Sequence, residues 1–227
     1  MTTSLNTLID TPNGTKLLQA LHRTLPVAQL QRVRLPGLSN IELALINEDF
    51  PTGPLPPEVM HAVIAQPAYW AFCWGSGLAL AQFLLTYPHW VQGKSVVDLG
   101  SGSGIAAIAA ALAGASDVTA CDTDADARLA TQVNAELNEV DLSITAELPS
   151  QCDVLLMADV LYDRQNLPLL QVAQQHAREI LVADSRVTVL PDRNYREITQ
   201  IDALTQPNLG EFDEFSTAHL FHWLQPD

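Results

Sequence analysis

The chain has 227 residues, 48% of them hydrophobic, which is enough for one ordinary domain, or a domain with an extension, around a full core. Only 16% are charged, and 26 acidic residues against 11 basic ones leave a net charge of −15. That balance excludes binding nucleic acid through a bulk positive field, and with Lys16 and Lys94 as the lysines there is no polybasic patch for a membrane. Basic partners are favoured instead.

The opening MTTSLNTLID lacks the basic-then-apolar layout of a signal peptide. The most apolar run, residues 104–115, is shorter than the ~20 residues of a membrane span. A soluble cytoplasmic monomer is expected. Leu17, Leu18, Leu21 and Leu25 give a helical pattern within residues 1–25, closed by Pro26. Residues 30–35 alternate in character, residues 41–46 are a second short extended candidate, and Pro36-Gly37 lies between them, which suggests a hairpin. Residues 49–57 carry Pro51, Pro54, Pro56 and Pro57 and read as a turn-filled linker. Residues 1–68 therefore read as an N-terminal extension or lid, and residues 69–227 as the main domain.

Residues 74–85 read as a helix of small and apolar residues. SVVDL (95–99) reads as a buried strand, followed by a glycine-rich turn and an alanine-rich helix. A second strand falls at 117–122. The helix over 125–138 places Leu129, Val133 and Leu137 on one stripe. A short third strand falls at 142–148 and an apolar fourth at 153–158, followed by a helix through about 177. A fifth strand follows at 179–183. Residues 218–224 read as a last strand, and 198–204 as either a strand or part of a helix. Strands alternating with helices give an α/β fold: a Rossmann-like, mostly parallel sheet of seven strands with helices on both faces. Such sheets bind ligands at the carboxyl ends of their strands.

VVDLGSGSG (96–104) closes the first of these strands and supplies Asp98, Gly100, Gly102 and Gly104. The spacing is not the GxGxxG of a dinucleotide site, because Ile105 stands at the third glycine position, and no Gly-Lys-Ser/Thr follows as in a P-loop. A carboxylate inside the loop opposes a pyrophosphate and suits a cationic ligand. S-adenosylmethionine (SAM) carries a sulfonium and an ammonium and no phosphate. Asp122 ends the second strand, where a carboxylate accepts hydrogen bonds from ribose hydroxyls; Asp124 competes for that role. The bland alternative is a tight strand-to-helix turn with solvated aspartates.

Residues 69–227 resemble the seven-β-strand SAM-dependent methyltransferases, and within them the protein-lysine methyltransferase branch. The likeness is carried by YWAFCWGSGLALAQFL (69–84), by residues 93–127 with the glycine loop, by LLMADVLYD (155–163) with its Asp-x-x-Tyr as Asp159 and Tyr162, by AELN (135–138) and by LVADSR (181–186). Its flavour is that of the members that methylate the electron transfer flavoprotein β subunit. The resemblance implies that Trp74 packs on SAM, that Gly100, Ser101 and Gly102 line it through backbone, and that Asp98 and Gly104 belong to the same loop. It implies that Asp122 holds the ribose, that Ala158 touches the cofactor, and that Asp159 and Tyr162 face the incoming nucleophile. Adenine contacts are not assigned, because AELPSQ (146–151) carries Glu147 and no aromatic.

Each role has a structural counterpart. Asp159 also suits a helix N-cap, Tyr162 also suits simple packing, and Trp74 and Trp70, four apart, also suit one face of a helix core. Cys73, Cys121 and Cys152 form no CxxC pair and read as reduced core residues, Met157 reads as core, and the six scattered histidines complete no metal set. No GxSxG elbow occurs. The Glu211, Asp213, Glu214 cluster reads as a solvated loop. The leading acceptor is a lysine of a protein, with the electron transfer flavoprotein β subunit as the partner the resemblance implies. The rivals are a small-molecule N- or O-methyltransferase and a SAM-binding module without catalysis. A nucleic-acid acceptor is disfavoured by charge, and the chain reads Ala158-Asp159-Val160-Leu161 where amino-adenine methyltransferases carry Asn/Asp-Pro-Pro-aromatic.

Overall fold

The computed structural model describes residues 11–210 and 215–226. Helix α1 (Pro12–His22) starts where Thr11 accepts a hydrogen bond from the Gly14 N–H at 3.0 Å, and Pro12 sits at the helix start, where a missing N–H costs nothing. Strands β1 (Leu30–Leu35) and β2 (Leu38–Ile46) pair antiparallel as a hairpin. Its turn uses Gly37 at φ +75°.

Helix α2 (Pro57–Ala65) was not anticipated. It begins at the last proline of the expected linker; none of its residues is fully buried, and Val59 and Val63, one turn apart, pack only partly against the core around α1. A 3₁₀ turn at Tyr69–Ala71 follows, then α3 (Gly75–Thr86), β3 (Ser95–Leu99), α4 (Ile105–Leu112), β4 (Asp117–Cys121) and α5 (Ala125–Leu137). The rest comprises β5 (Ser143–Thr145), β6 (Cys152–Ala158), α6 (Leu169–His176), β7 (Ala177–Asp184), β8 (Arg196–Asp202) and β9 (Thr217–Leu224).

The seven-stranded sheet runs β5-β4-β3-β6-β7-β9-β8. Pairs β4/β5, β3/β4, β3/β6 and β6/β7 are parallel, and β9 runs antiparallel to both β7 and β8. The chain leaves β3 toward β4 and β5 and returns to its other side at β6. The carboxyl end of β3 is therefore the point where strand order reverses, which is where open α/β sheets hold ligands.

Several boundaries differ from the sequence reading. β5 covers only Ser143–Thr145. The expected long helix after β6 is a 3₁₀ turn at Arg164–Asn166 and then α6, with β7 already beginning at Ala177. Pro168 stands between the two helical pieces as the N-cap of α6, and its missing N–H removes a donor from any continuous helix there. Residues 198–202 are strand, not helix. Trp70 and Trp74 do not share a helix: Trp70 lies in the 3₁₀ turn and is 2% exposed, whereas Trp74 is the N-cap of α3. The cysteines are free and buried, Met157 is core, and no potential metal cluster occurs among the described residues. Among them no helix is long and apolar enough to cross a membrane. The opening residues 1–10 and the Glu211, Asp213, Glu214 cluster lie outside the described residues.

The second half of β2, residues 43–46, is buried on both faces. Leu43 and Leu45 join α3 and α4 in the core on one side of the sheet. Ala44 and Ile46 join Leu17 and Leu21 of α1, Trp70 and the α5 residues Ala127, Ala130 and Val133. The first quarter of the chain is thus packed into the fold through shared side chains.

Candidate active site

One cavity of about 820 Å³ opens at the carboxyl ends of β3, β4 and β6. Its volume falls within the range of small-molecule and cofactor sites. The glycine loop forms its floor. Gly100, Gly102 and Gly104 all have positive φ, at +76°, +52° and +82°. A Cβ on Gly104 would stand 3.2 Å from the Thr131 Cα, so the close approach of loop and α5 requires glycine there.

Asp122 stands just past β4. One carboxylate oxygen accepts from the Gly102 N–H and the other from the Asp124 N–H, both at 2.9 Å. Each oxygen keeps a lone pair, so the acid is aimed but not saturated. Asp124 also lines the cavity, but its carboxylate accepts from the Asp126 N–H at 2.9 Å as the N-cap of α5.

Asp98 has a different surrounding. It is 2% exposed and accepts from the Ala107 N–H at 3.0 Å, and it is not among the cavity-lining residues. Gly104, the N-cap of α4, has no side chain to serve the first turn; Asp98 does so from β3. Burial pushes its carboxyl up to about 7 against that hydrogen bond, with nearby Asp122 adding to the rise. Ser101 is also turned inward, its hydroxyl 3.1 Å from that of Thr131. Asp98, Ser101 and Gly104 therefore shape the loop, while Trp74, Gly100, Gly102, Asp122, Ala158, Asp159 and Tyr162 line the cavity.

Asp159 has φ +53°, a left-handed conformation that aspartate tolerates better than most residues. Its carboxylate accepts from the Ser76 N–H at 3.0 Å, the Gly77 N–H at 3.3 Å and the Ser76 hydroxyl at 2.6 Å. It caps a helix, but α3 across the cavity and not the one after its own strand. Burial pushes its carboxyl up to about 7; the Ser76 bond opposes this, Asp184 adds to it and Arg186 reduces it.

Three rings complete the wall. Tyr69 meets Trp74 edge-on at 5.8 Å between centroids and Tyr162 edge-on at 5.6 Å. The Trp74 indole N–H donates to the Tyr69 carbonyl at 2.9 Å. Burial and the adjoining Tyr69 raise the Tyr162 phenol, so it keeps its proton.

Sequence reasoning did not single out Tyr69, Asn166 or Arg186 as lining residues. Asn166 is fixed by donating to the Val160 carbonyl at 2.8 Å, and the Arg186 guanidinium lies 4.5 Å from the Phe215 ring centre. Tyr69 and Arg186 sit within the quoted YWAFCWGSG and LVADSR segments, so the signal was regional and not specific to the residue.

Residues 82–177 match the family model described as ribosomal protein L11 methyltransferase (PrmA). The chain is 37% identical over 140 residues to the electron transfer flavoprotein beta subunit lysine methyltransferase of Danio rerio, covering 56% of this chain and 54% of that one. It is 42% identical over 101 residues to the Homo sapiens protein of the same name, covering 42% and 38%. The chain thus spans about half, or less, of the length of these relatives. Among solved structures it is similar to a ribosomal protein L11 methylase from Lactobacillus delbrueckii subsp. bulgaricus, with TM-score 0.50 and 21% identity over 65% of this chain and 77% of that one. At that identity the likeness shows the fold.

Proposed function

We propose that this chain, which has the class I SAM-dependent methyltransferase fold, transfers a methyl group from SAM to a lysine side chain of a protein. The observation that carries the reading is one cavity joining the Asp122-bearing glycine loop to Asp159 and Tyr162. The curated relatives, named for lysine methylation of the electron transfer flavoprotein β subunit, support the same acceptor class.

The residues fit the cofactor. Asp122 keeps lone pairs for ribose hydroxyls, the glycine backbone is bare, and Asp122, Asp124 and Asp159 suit a cationic ligand. SAM supplies a methyl already activated by a sulfonium. The protein's part is to orient the acceptor, an effect worth up to ~7–11 kcal/mol when reacting atoms are held ~3–3.5 Å apart. A lysine at its reference pKa of ~10.4 is protonated at neutral pH, and partial desolvation beside a cationic cofactor lowers that value. Asp159 holds the amine at the end of β6. With its own pKa near 7 and its oxygens engaged by Ser76 and Gly77, it opposes loss of the amine's proton less than a free carboxylate would. Tyr162 offers a ring face and a protonated hydroxyl beside it.

A protein acceptor is favoured over a small molecule by the mouth. Tyr69 and Tyr162 are 46% and 49% exposed, and no described residue before Tyr69 lines the cavity. The N-terminal segment read as a lid packs elsewhere and leaves the mouth open among the described residues. The test is calorimetry with S-adenosylhomocysteine, followed by incubation of radiolabelled SAM with purified electron transfer flavoprotein β subunit and with cell lysate. Binding that is lost in Asp122→Ala, with label on a protein lysine, is expected. Label confined to small molecules would replace the acceptor, and no cofactor binding would overturn the reading.

A further inference from the structure

Three aromatic rings from two separate segments meet at the cavity mouth. Tyr69 and Trp74 come from the segment before α3, and Tyr162 comes from the loop after β6. Their rings meet edge-on at 5.6 and 5.8 Å. Tyr69 and Tyr162 are half-exposed, so burial in a core does not account for them. In an edge-on pair the edge of one ring meets one face of the other, so each contact covers a single ring face and leaves the opposite face uncovered by that partner. Ring faces are electron-rich, and beside carboxylates they favour a cation whose charge is spread over carbon-bound hydrogens. Asp159 lines the same cavity. Arg186 lines it too, but its charge is set against Asp159 and Asp184, and its guanidinium rests on Phe215.

We infer that Tyr69, with Tyr162 and Trp74, forms an alkylammonium subsite at the cavity mouth, with Tyr69 a positioning residue for the acceptor amine and its methylated forms. The role rests on the methyl-transfer reading, but the subsite is a binding claim that stands or falls without turnover.

The probes are choline and 3,3-dimethylbutan-1-ol, which has carbon in place of the quaternary nitrogen. Each is titrated into the whole protein by NMR, with and without S-adenosylhomocysteine. Choline should bind roughly tenfold tighter than the neutral alcohol. Tyr69→Ala and Tyr162→Ala should each weaken choline about fivefold, while Tyr69→Phe, which keeps the ring, should not. Coinciding far-UV circular dichroism and urea unfolding curves show that each variant is folded. Equal binding of the two probes by the unaltered protein would overturn the inference, as would wild-type choline affinity in both alanine variants. Choline binding without cofactor binding would sink the methyl-transfer reading and leave the subsite standing; cofactor binding without choline preference would do the reverse.

Discussion

Asp98 meets a need created by the glycine loop. With Gly104 at φ +82° as its N-cap, α4 begins without a capping side chain, and Asp98 supplies the acceptor for the Ala107 N–H from inside the sheet. Burial holds its carboxyl up at about 7, well above the ordinary carboxylate range. Between about pH 4 and pH 7 the folded chain keeps a proton that the unfolded chain has lost. Stability from this group is therefore present below that window, falls as pH rises through it, and is fully lost above pH 7. From pH 5 to pH 8 the loss is roughly 3 kcal/mol. Urea unfolding of Asp98→Asn should lack this slope, and identical slopes in both proteins would refute the assignment. A second prediction concerns the Ser76 hydroxyl, which at 2.6 Å favours the ionised form of Asp159. Ser76→Ala should push that carboxyl above about 7 and move the acid limb of methyl transfer to higher pH. Ser76→Thr should restore it; an unmoved limb in the alanine variant would remove Asp159 from the rate.

Helix α5 shows why elements were more legible than their connections. Its stripe of apolar residues and the apolar runs of β3, β6 and β7 repeat locally, so a window of sequence contains the whole signal. The hairpin was legible through its turn. Helix α2 was not, because its side chains bury nothing fully. Tyr69 and Arg186 reach the cavity from segments more than 100 residues apart, and no local pattern encodes that meeting. The same limit hid a joint on α5. Asn134 accepts from the Ala44 N–H at 2.7 Å and donates to the Ser103 carbonyl at 2.8 Å. One turn on, Asn138 accepts from the Glu42 N–H at 3.0 Å and donates to the Glu42 carbonyl at 2.7 Å. Two amides thus fasten β2, and one of them also holds the glycine loop. Asn134 is fully buried, so Asn134→Ala strands a donor and an acceptor, each costing about 1–3 kcal/mol. A drop of about 2–4 kcal/mol in urea stability is expected. A change under about 0.5 kcal/mol would mean that water replaces the amide.

At the scale of the molecule, the question is whether the first quarter of the chain is a separable extension or part of one cooperative unit. Its side chains argue for the latter. Leu17 and Leu21 of α1 and Ile46 of β2 pack with Trp70, Ala127, Ala130 and Val133, and both Trp70 and Ala127 also line the cavity. The salt bridge of Arg23 with Asp126 ties the end of α1 to the start of α5, beside Asp124 at the cavity rim. Damage to α1 should therefore be felt at the cofactor site without touching it. Leu21 is fully buried, so Leu21→Ala should cost about 2–5 kcal/mol. It should do so in a single transition, with far-UV circular dichroism and tryptophan fluorescence coinciding. Ligand that binds only the folded state at a hundred times its Kd returns about 2.7 kcal/mol, so S-adenosylhomocysteine should offset much of the loss. A cavity wall loosened from behind would bind it more weakly than in the unaltered protein. Two separated transitions, with cofactor affinity unchanged in Leu21→Ala, would mean that α1 and the hairpin fold on their own and that the cavity is held entirely by residues 69–227.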